Sequence, residues 1–423
     1  MFTNTTLIRA CTRRRDVFGD LQRHISKTSS TPNSNAFTTR KNNSSKSQAN
    51  KWTRLNRHNN QRALSTLQAK IAPQAATLAS KEESREFMAV FPDIVRDLTE
   101  AGKHTDIPEV TKWYTKVLQH NVPNGKKNRG LAVVAAYKML EDPNNLAPEN
   151  IRLANILGWC VEMFQSSLDI ADDVIDSNEK RQVNSSWSKN DEEVDVKAIN
   201  DSILVENGLY TILKKHFSNI PCYVPVMELF HDATLKAAMG QTLEFFAKKD
   251  GKPDLSAFTM SRYNAIVKYR TSYYMFYLPV ALAMYLSARF DPEMHRQART
   301  ILMEMGHFYQ VQEDFLDCFG DPALTGKAGT DIRDGKCTWL SVVALQRATS
   351  EHQRIFQNNY GQPNLHSEII IKDLYEELSL PVTYSVYEEE SYNLIKTHIQ
   401  QISKGLPHEL FFAFMEKLYG REC

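Results

Sequence analysis

The 423 residues, 42% hydrophobic and 24% charged, carry enough apolar side chain for a large buried core, which excludes a chain disordered throughout. The longest nearly apolar run, Met275 to Leu286, is about a dozen residues interrupted by Pro279, short of the roughly 20 that span a bilayer, so a protein without a transmembrane segment is expected. The six cysteines show no CxxC pairing, which argues against a disulfide framework or a thiolate zinc site and makes a reducing compartment the default.

The net charge of +1 conceals two opposite parts. Residues 1–70 hold 14 Lys and Arg against only Asp16 and Asp20, a net of +12, which leaves −11 for the remainder. The first segment is rich in Ser, Thr, Asn and Arg and opens with an apolar stretch, Met1 to Ala10, flanked by Arg13, Arg14 and Arg15. That composition resembles a mitochondrial transit peptide, with Arg62-Ala63-Leu64-Ser65 suited to processing. A mitochondrial matrix address is therefore expected, with the cytoplasm as the alternative. The sparse aromatics of the tract and the acidic body argue against nucleic-acid binding. A composition break near residue 75 divides a basic leader, 1–75, from a body, 76–423.

In the body, apolar residues recur at intervals of three and four. Leu153, Ile156, Leu157, Cys160, Val161, Phe164 and Leu168 form one such stripe, and Ile301, Leu302, Met305, Phe308 and Leu316 another. Strand-like alternation is rare, and Pro and Gly fall between the runs, so an all-α bundle is expected. The first stripe ends in Asp172-Asp173-Val174-Ile175-Asp176, whose spacing places Asp172 and Asp176 on one helical face with Asp173 beside them. Clustered carboxylates repel one another unless a cation joins them, and an all-oxygen set favours Mg²⁺ carrying a phosphate. Glu313-Asp314-Phe315-Leu316-Asp317 closes the second stripe in the same way. Facing helices of a bundle build metal sites from such side chains. Lys126, Arg129, Arg181, Lys268, Arg270, Lys327 and Lys336 supply positive charge, so together these features describe a pocket for two diphosphates.

With these motifs in place, the sequence resembles the trans-prenyl diphosphate synthases, most closely the animal farnesyl diphosphate synthases in a divergent, insect-like form. The likeness runs from about residue 85 to the C-terminus. It rests on the first acidic motif and on Gly158-Trp159-Cys160-Val161-Glu162 with Gln165, Val267-Lys268-Tyr269-Arg270-Thr271, Phe319-Gly320-Asp321, and Thr325 through Ile332. The resemblance implies a helical bundle of the isoprenoid synthase type with a central cavity, and a head-to-tail condensation of isopentenyl diphosphate with dimethylallyl or geranyl diphosphate. It further implies three Mg²⁺ ions, with Mn²⁺ able to substitute, and a homodimer or a heterodimer with a related synthase. Asp172, Asp173, Asp176, Glu313, Asp314 and Asp317 look like the metal-binding set. Arg270, Thr271, Gln312 and Lys327 look catalytic. Lys126, Arg129, Gln165, Arg181, Gln182 and Lys336 look like substrate contacts, and Ser167 with Leu168 like the product-length wall.

The sequence departs from that pattern at several of these positions. Gln182 stands where a second arginine is usual, Arg270 where Lys is usual and Glu313 where Asp is usual; the C-terminus, Tyr419 to Cys423, is not basic. Ser167 and Leu168 replace a bulky aromatic pair, and Asp169 occupies a usually apolar position. These changes keep two other functions in view: a terpene-synthase type of lyase acting on one prenyl diphosphate, and a weakly active subunit of a heterodimer.

Overall fold

The computed structural model describes residues 79–99, 106–175, 194–249, 251–326, 328–403 and 405–419. The repeated spacing of three and four becomes helix throughout. In chain order these are α1 (Lys81–Thr99), α2 (Pro108–Asn121), α3 (Asn128–Leu140), α4 (Pro148–Ile175), α5 (Val194–Phe217), α6 (Tyr223–Phe245), α7 (Met260–Val267) and α8 (Leu278–Leu286). They continue with α9 (Pro292–Phe319), α10 (Pro322–Thr325), α11 (Asp331–Asp334), α12 (Trp339–Arg347), α13 (Ser350–Asn359), α14 (Leu365–Glu377), α15 (Leu380–Gln400) and α16 (His408–Tyr419). Among the described residues the only strands are one antiparallel pair, Lys248–Lys249 with Lys252–Pro253. The all-α expectation holds. The leader, 1–75, lies outside the described residues.

Two 28-residue helices organise the body, α4 and α9, each about 42 Å long. Proline at the first helical position suits both starts, because its missing N–H has no intrahelical partner there. Asp291 also caps α9 by accepting from the Glu293 amide at 2.9 Å. The stripes read from the sequence face inward: Ile156, Leu157, Cys160, Val161 and Phe164 of α4 are buried, as are Ile301, Leu302, Met305 and Phe308 of α9. Helix α9 ends without a basic residue in its last turn and with its acidic cluster in that region, and the described part of α4 closes on Asp172 and Asp173. Carboxylates there sit against the negative pole of the helix, each at a cost of about 0.3–1 kcal/mol, which calls for cations from elsewhere.

Glycines let the neighbouring elements come close. A Cβ at Gly158 of α4 would lie 2.6 Å from the Gly130 carbonyl oxygen of α3. The Gly130 amide donates to buried Glu162 Oε1 at 2.7 Å, and Trp159 donates from its indole to the Phe87 carbonyl at 2.8 Å. The start of α3, and Arg129 with it, is thereby held against α4.

The segment joining α7 to α8, Lys268–Tyr277, is a π-helix, which hydrophobic periodicity does not foretell. The Leu278 amide bonds back five residues to Tyr273, and Pro279 just beyond lacks the N–H needed to restore the tighter ladder at once. This wide turn fits between α6 and α9 because both present glycine. A Cβ at Gly240 would lie 2.7 Å from the Arg270 amide nitrogen, and one at Gly306 would lie 2.5 Å from Ser272 Cα.

Beside this seam, His307 of α9 is held by Tyr387 and Asn264, each at 2.9 Å. Burial pushes its imidazole down to about 4. The unfolded chain, with an ordinary histidine, binds a proton that the fold excludes, so this stability is full above about pH 6.5 and is lost as pH falls toward 4. The melting temperature is expected to drop over that window, and less steeply in His307→Gln; thermal melts across the pH series check this.

Candidate active site

The π-helix places two consecutive side chains toward the two acidic helices. Arg270 forks onto Asp172 of α4, with Nη2 2.9 Å from Oδ2 and Nη1 3.4 Å from Oδ1. Its Nε also lies 2.7 Å from Glu244 Oε2, an ion pair without hydrogen-bond alignment. Glu244 and Asp172 outweigh the burial that disfavours the charge and raise the Arg270 pKa. Thr271 donates to Gln310 Oε1 of α9 at 2.8 Å, and Gln310 Nε2 donates onward to Asp314 Oδ1 at 2.8 Å. A single run therefore links the end of α4 to the end of α9.

Two sequence-derived assignments change here. Gln312 is buried, and its amide donates to the Leu418 carbonyl of α16 at 3.4 Å; the glutamine that meets Thr271 is Gln310. Two residues along a helix turn a side chain through about 200°, so the pair cannot share a face. The spacing of three between Gln310 and Glu313 was the available signal. Asp314 is likewise turned inward: it is buried, and its Oδ2 accepts from the Trp339 amide at 2.8 Å, at the start of α12. Burial, reinforced by Asp331 nearby, pushes its carboxyl up to about 7. Asp314 is thus placed in the packed interior, unlike half-buried Glu313 and Asp317, and is left out of the metal-binding set proposed below.

The other carboxylates are differently placed. Asp172, Asp173, Glu313 and Asp317 are half-buried. Asp317 accepts from the Thr330 and Asp331 amides at 3.2 and 3.0 Å, and a Cβ at Gly329 would lie 1.7 Å from the Asp317 carbonyl oxygen, so glycine allows this loop to close on α9. Lys336 Nζ lies 3.4 Å from Asp331 Oδ1. Asp176, Arg181, Gln182 and Lys327 lie outside the described residues. Among the described residues no three His, Cys, Asp or Glu side chains form a ready metal cage. The set is nonetheless all oxygen, on the ends of two helices that need positive charge, which fits a hard divalent ion sharing its shell with phosphate.

A second group lies between α3, α4 and the π-helix. Arg129 lies over the Tyr274 ring, 5.8 Å from its centroid. Burial opposes its charge, but Tyr274, Glu162, Tyr309 and Asp169 outweigh that and raise its pKa. Gln165 Nε2 donates to Asp169 Oδ1 at 2.7 Å. Tyr274 stands among four charges: burial raises its phenol, Arg129 and Arg270 pull it down, and Asp169 and Asp172 add to the rise. Tyr274 and Tyr309 are neighbours of Arg129 that motif reading missed, since an aromatic side chain gives no sign in the sequence of facing a charge. Lys126 is exposed, while Lys127 is buried and folds back on the Asn124 and Gly125 carbonyls. Ser167 is buried, donates to the Phe164 carbonyl, and accepts at its own carbonyl from Ser202 of α5; Leu168 is half-buried.

Residues 111–378 match the family model for polyprenyl synthetases. The chain is 46% identical over 352 residues to the farnesyl pyrophosphate synthase of Murgantia histrionica, covering 83% of this chain and 85% of that one. It is 45% identical over 372 residues to the enzyme of that name from Nezara viridula, covering 88% and 90%. Among solved structures, T. brucei farnesyl diphosphate synthase complexed with homorisedronate is similar with a TM-score of 0.74 at 29% identity, over 80% of this chain and 100% of the other. The chain belongs to the polyprenyl synthetase family.

Proposed function

We propose that this chain condenses isopentenyl diphosphate with dimethylallyl or geranyl diphosphate to give farnesyl diphosphate. The observation that carries the reading is the pair of carboxylate-tipped helices bridged by Arg270 and Thr271. Arg270, with Arg181 and Lys327 beyond the described residues, binds the allylic diphosphate; Lys126, Arg129 and Gln165 bind isopentenyl diphosphate, and Lys336 supports the charge balance. The allylic C–O bond breaks, the double bond of isopentenyl diphosphate attacks the resulting cation, and a proton is lost. The Thr271 hydroxyl oxygen and the Gln310 carbonyl oxygen stabilise that cation by their dipoles. Asp172, Asp173, Asp176, Glu313 and Asp317 would hold Mg²⁺, which would supply charge neutralisation of the leaving diphosphate. We assign three such ions, with Mn²⁺ able to substitute. Ser167 and Leu168 set the depth available to the growing tail.

Gln310→Leu removes one dipole and leaves Thr271 without its acceptor, so kcat is expected to fall about tenfold to a hundredfold with a smaller change in KM. Steady-state kinetics with geranyl diphosphate check this. Incubation with geranyl and isopentenyl diphosphates and Mg²⁺ tests the function itself: a C15 diphosphate supports it, and a terpene hydrocarbon formed without isopentenyl diphosphate overturns it.

The assembly is read as a homodimer. Ile199 and Ile203 on α5, and Leu235 and Met239 on α6, form exposed apolar pairs four residues apart, a surface suited to a second copy. A monomeric mass by light scattering would contradict this. The leader supports mitochondrial import; a reporter fused to residues 1–75 that stayed cytosolic would contradict that address. No described helix is long and apolar enough to cross a membrane.

A further inference from the structure

Gln165 and Asp169 stand four residues apart on α4, and Asp169 precedes Asp172 by one turn. Of the two halves of a glutamine amide, only the NH₂ donates to a diphosphate oxygen; the carbonyl is an acceptor and meets it unfavourably. One of the two N–H donors of that NH₂ goes to Asp169 Oδ1 at 2.7 Å, which fixes the orientation of the amide. The other half, Oε1, is buried with no hydrogen-bond partner among the described residues, and the same holds for Arg129 Nε. Asp169 also acts electrostatically on Arg129. One carboxylate thus bonds Gln165 directly and acts on Arg129 through its field, alongside the larger effect of Glu162.

We infer that Asp169 is a specificity-determining residue that weakens the isopentenyl diphosphate subsite, by taking one Gln165 donor and fixing the orientation of that amide, and by offsetting part of the charge of Arg129. The inference rests on the prenyl-transfer reading for the identity of the ligand. Its consequence is that the second subsite fills only at a higher isopentenyl diphosphate concentration than Arg129 and Gln165 alone would require.

The test is steady-state kinetics of full-length Asp169→Leu and Asp169→Asn with geranyl and isopentenyl diphosphates and Mg²⁺, each variant with a melting curve. Leu releases the amide and the charge together, so KM for isopentenyl diphosphate is expected to fall about tenfold, the scale of one regained charge-assisted hydrogen bond. Asn removes the charge but still offers an acceptor to Gln165, so a smaller fall, about threefold, is expected. KM for geranyl diphosphate stays unchanged in both, which a merely structural role would not produce. An unchanged or raised KM for isopentenyl diphosphate in Asp169→Leu at wild-type melting temperature overturns the inference; if Leu fails to fold, an unchanged value in Asn does so. If the wild type makes no C15 diphosphate, the functional reading fails separately. Equilibrium binding of isopentenyl diphosphate then decides the role of Asp169: tighter binding in the variants supports it, and equal binding removes it.

Discussion

Asp172→Ala is expected to lower kcat by about a thousandfold or more while leaving the melting temperature unchanged or slightly raised. The asymmetry follows from where Asp172 sits. It lies beside Asp173 near the described end of α4, and that like charge offsets part of what its ion pair with Arg270 contributes to folding. Arg270 keeps Glu244 as a partner at 2.7 Å when Asp172 is removed. Under the proposed function, by contrast, that carboxylate would gather cations around a leaving diphosphate. Single-turnover rates with a melting curve test both halves; a fold that collapses, or an activity that survives, contradicts the assignment.

Gly306→Val carries the second large effect, from a residue with no charge. A Cβ there would lie 2.5 Å from Ser272 Cα and 2.6 Å from its Cβ, and backbone cannot rotate out of the way as a side-chain tip can. Either α9 or the π-helix must shift, and Arg270 and Thr271 move with the latter. A misplacement of about 1 Å costs on the order of a hundredfold in rate, and overpacking costs about 1–3 kcal/mol of stability. Both kcat and melting temperature should therefore fall, unlike the Asp172 variant, in which only activity does. Kinetics and calorimetry on the same preparation check the contrast.

The two helical stripes and their acidic ends were legible because a core helix has to bury one face, and that face repeats visibly in the sequence. Gln312 and Asp314 are placed differently by the fold for a related reason. A motif names neighbours in sequence, while the helix separates them by rotation: Glu313 and Asp317 share a face, and Asp314 turns inward to the Trp339 amide. The π-helix left no signature of its own, since its geometry depends on Gly240 and Gly306, contributed by two other helices. Tyr274 illustrates a further limit: a tyrosine's sequence neighbours do not show which charges it meets, and only the fold brings Arg129, Asp169, Arg270 and Asp172 around it.

The most direct measurement incubates the purified full-length protein with geranyl diphosphate and Mg²⁺, with and without isopentenyl diphosphate, and identifies products by mass spectrometry. Farnesyl diphosphate is expected only when both substrates are present, and none once the metal is chelated. A hydrocarbon released from geranyl diphosphate alone, or a C15 diphosphate formed in the presence of chelator, would contradict it.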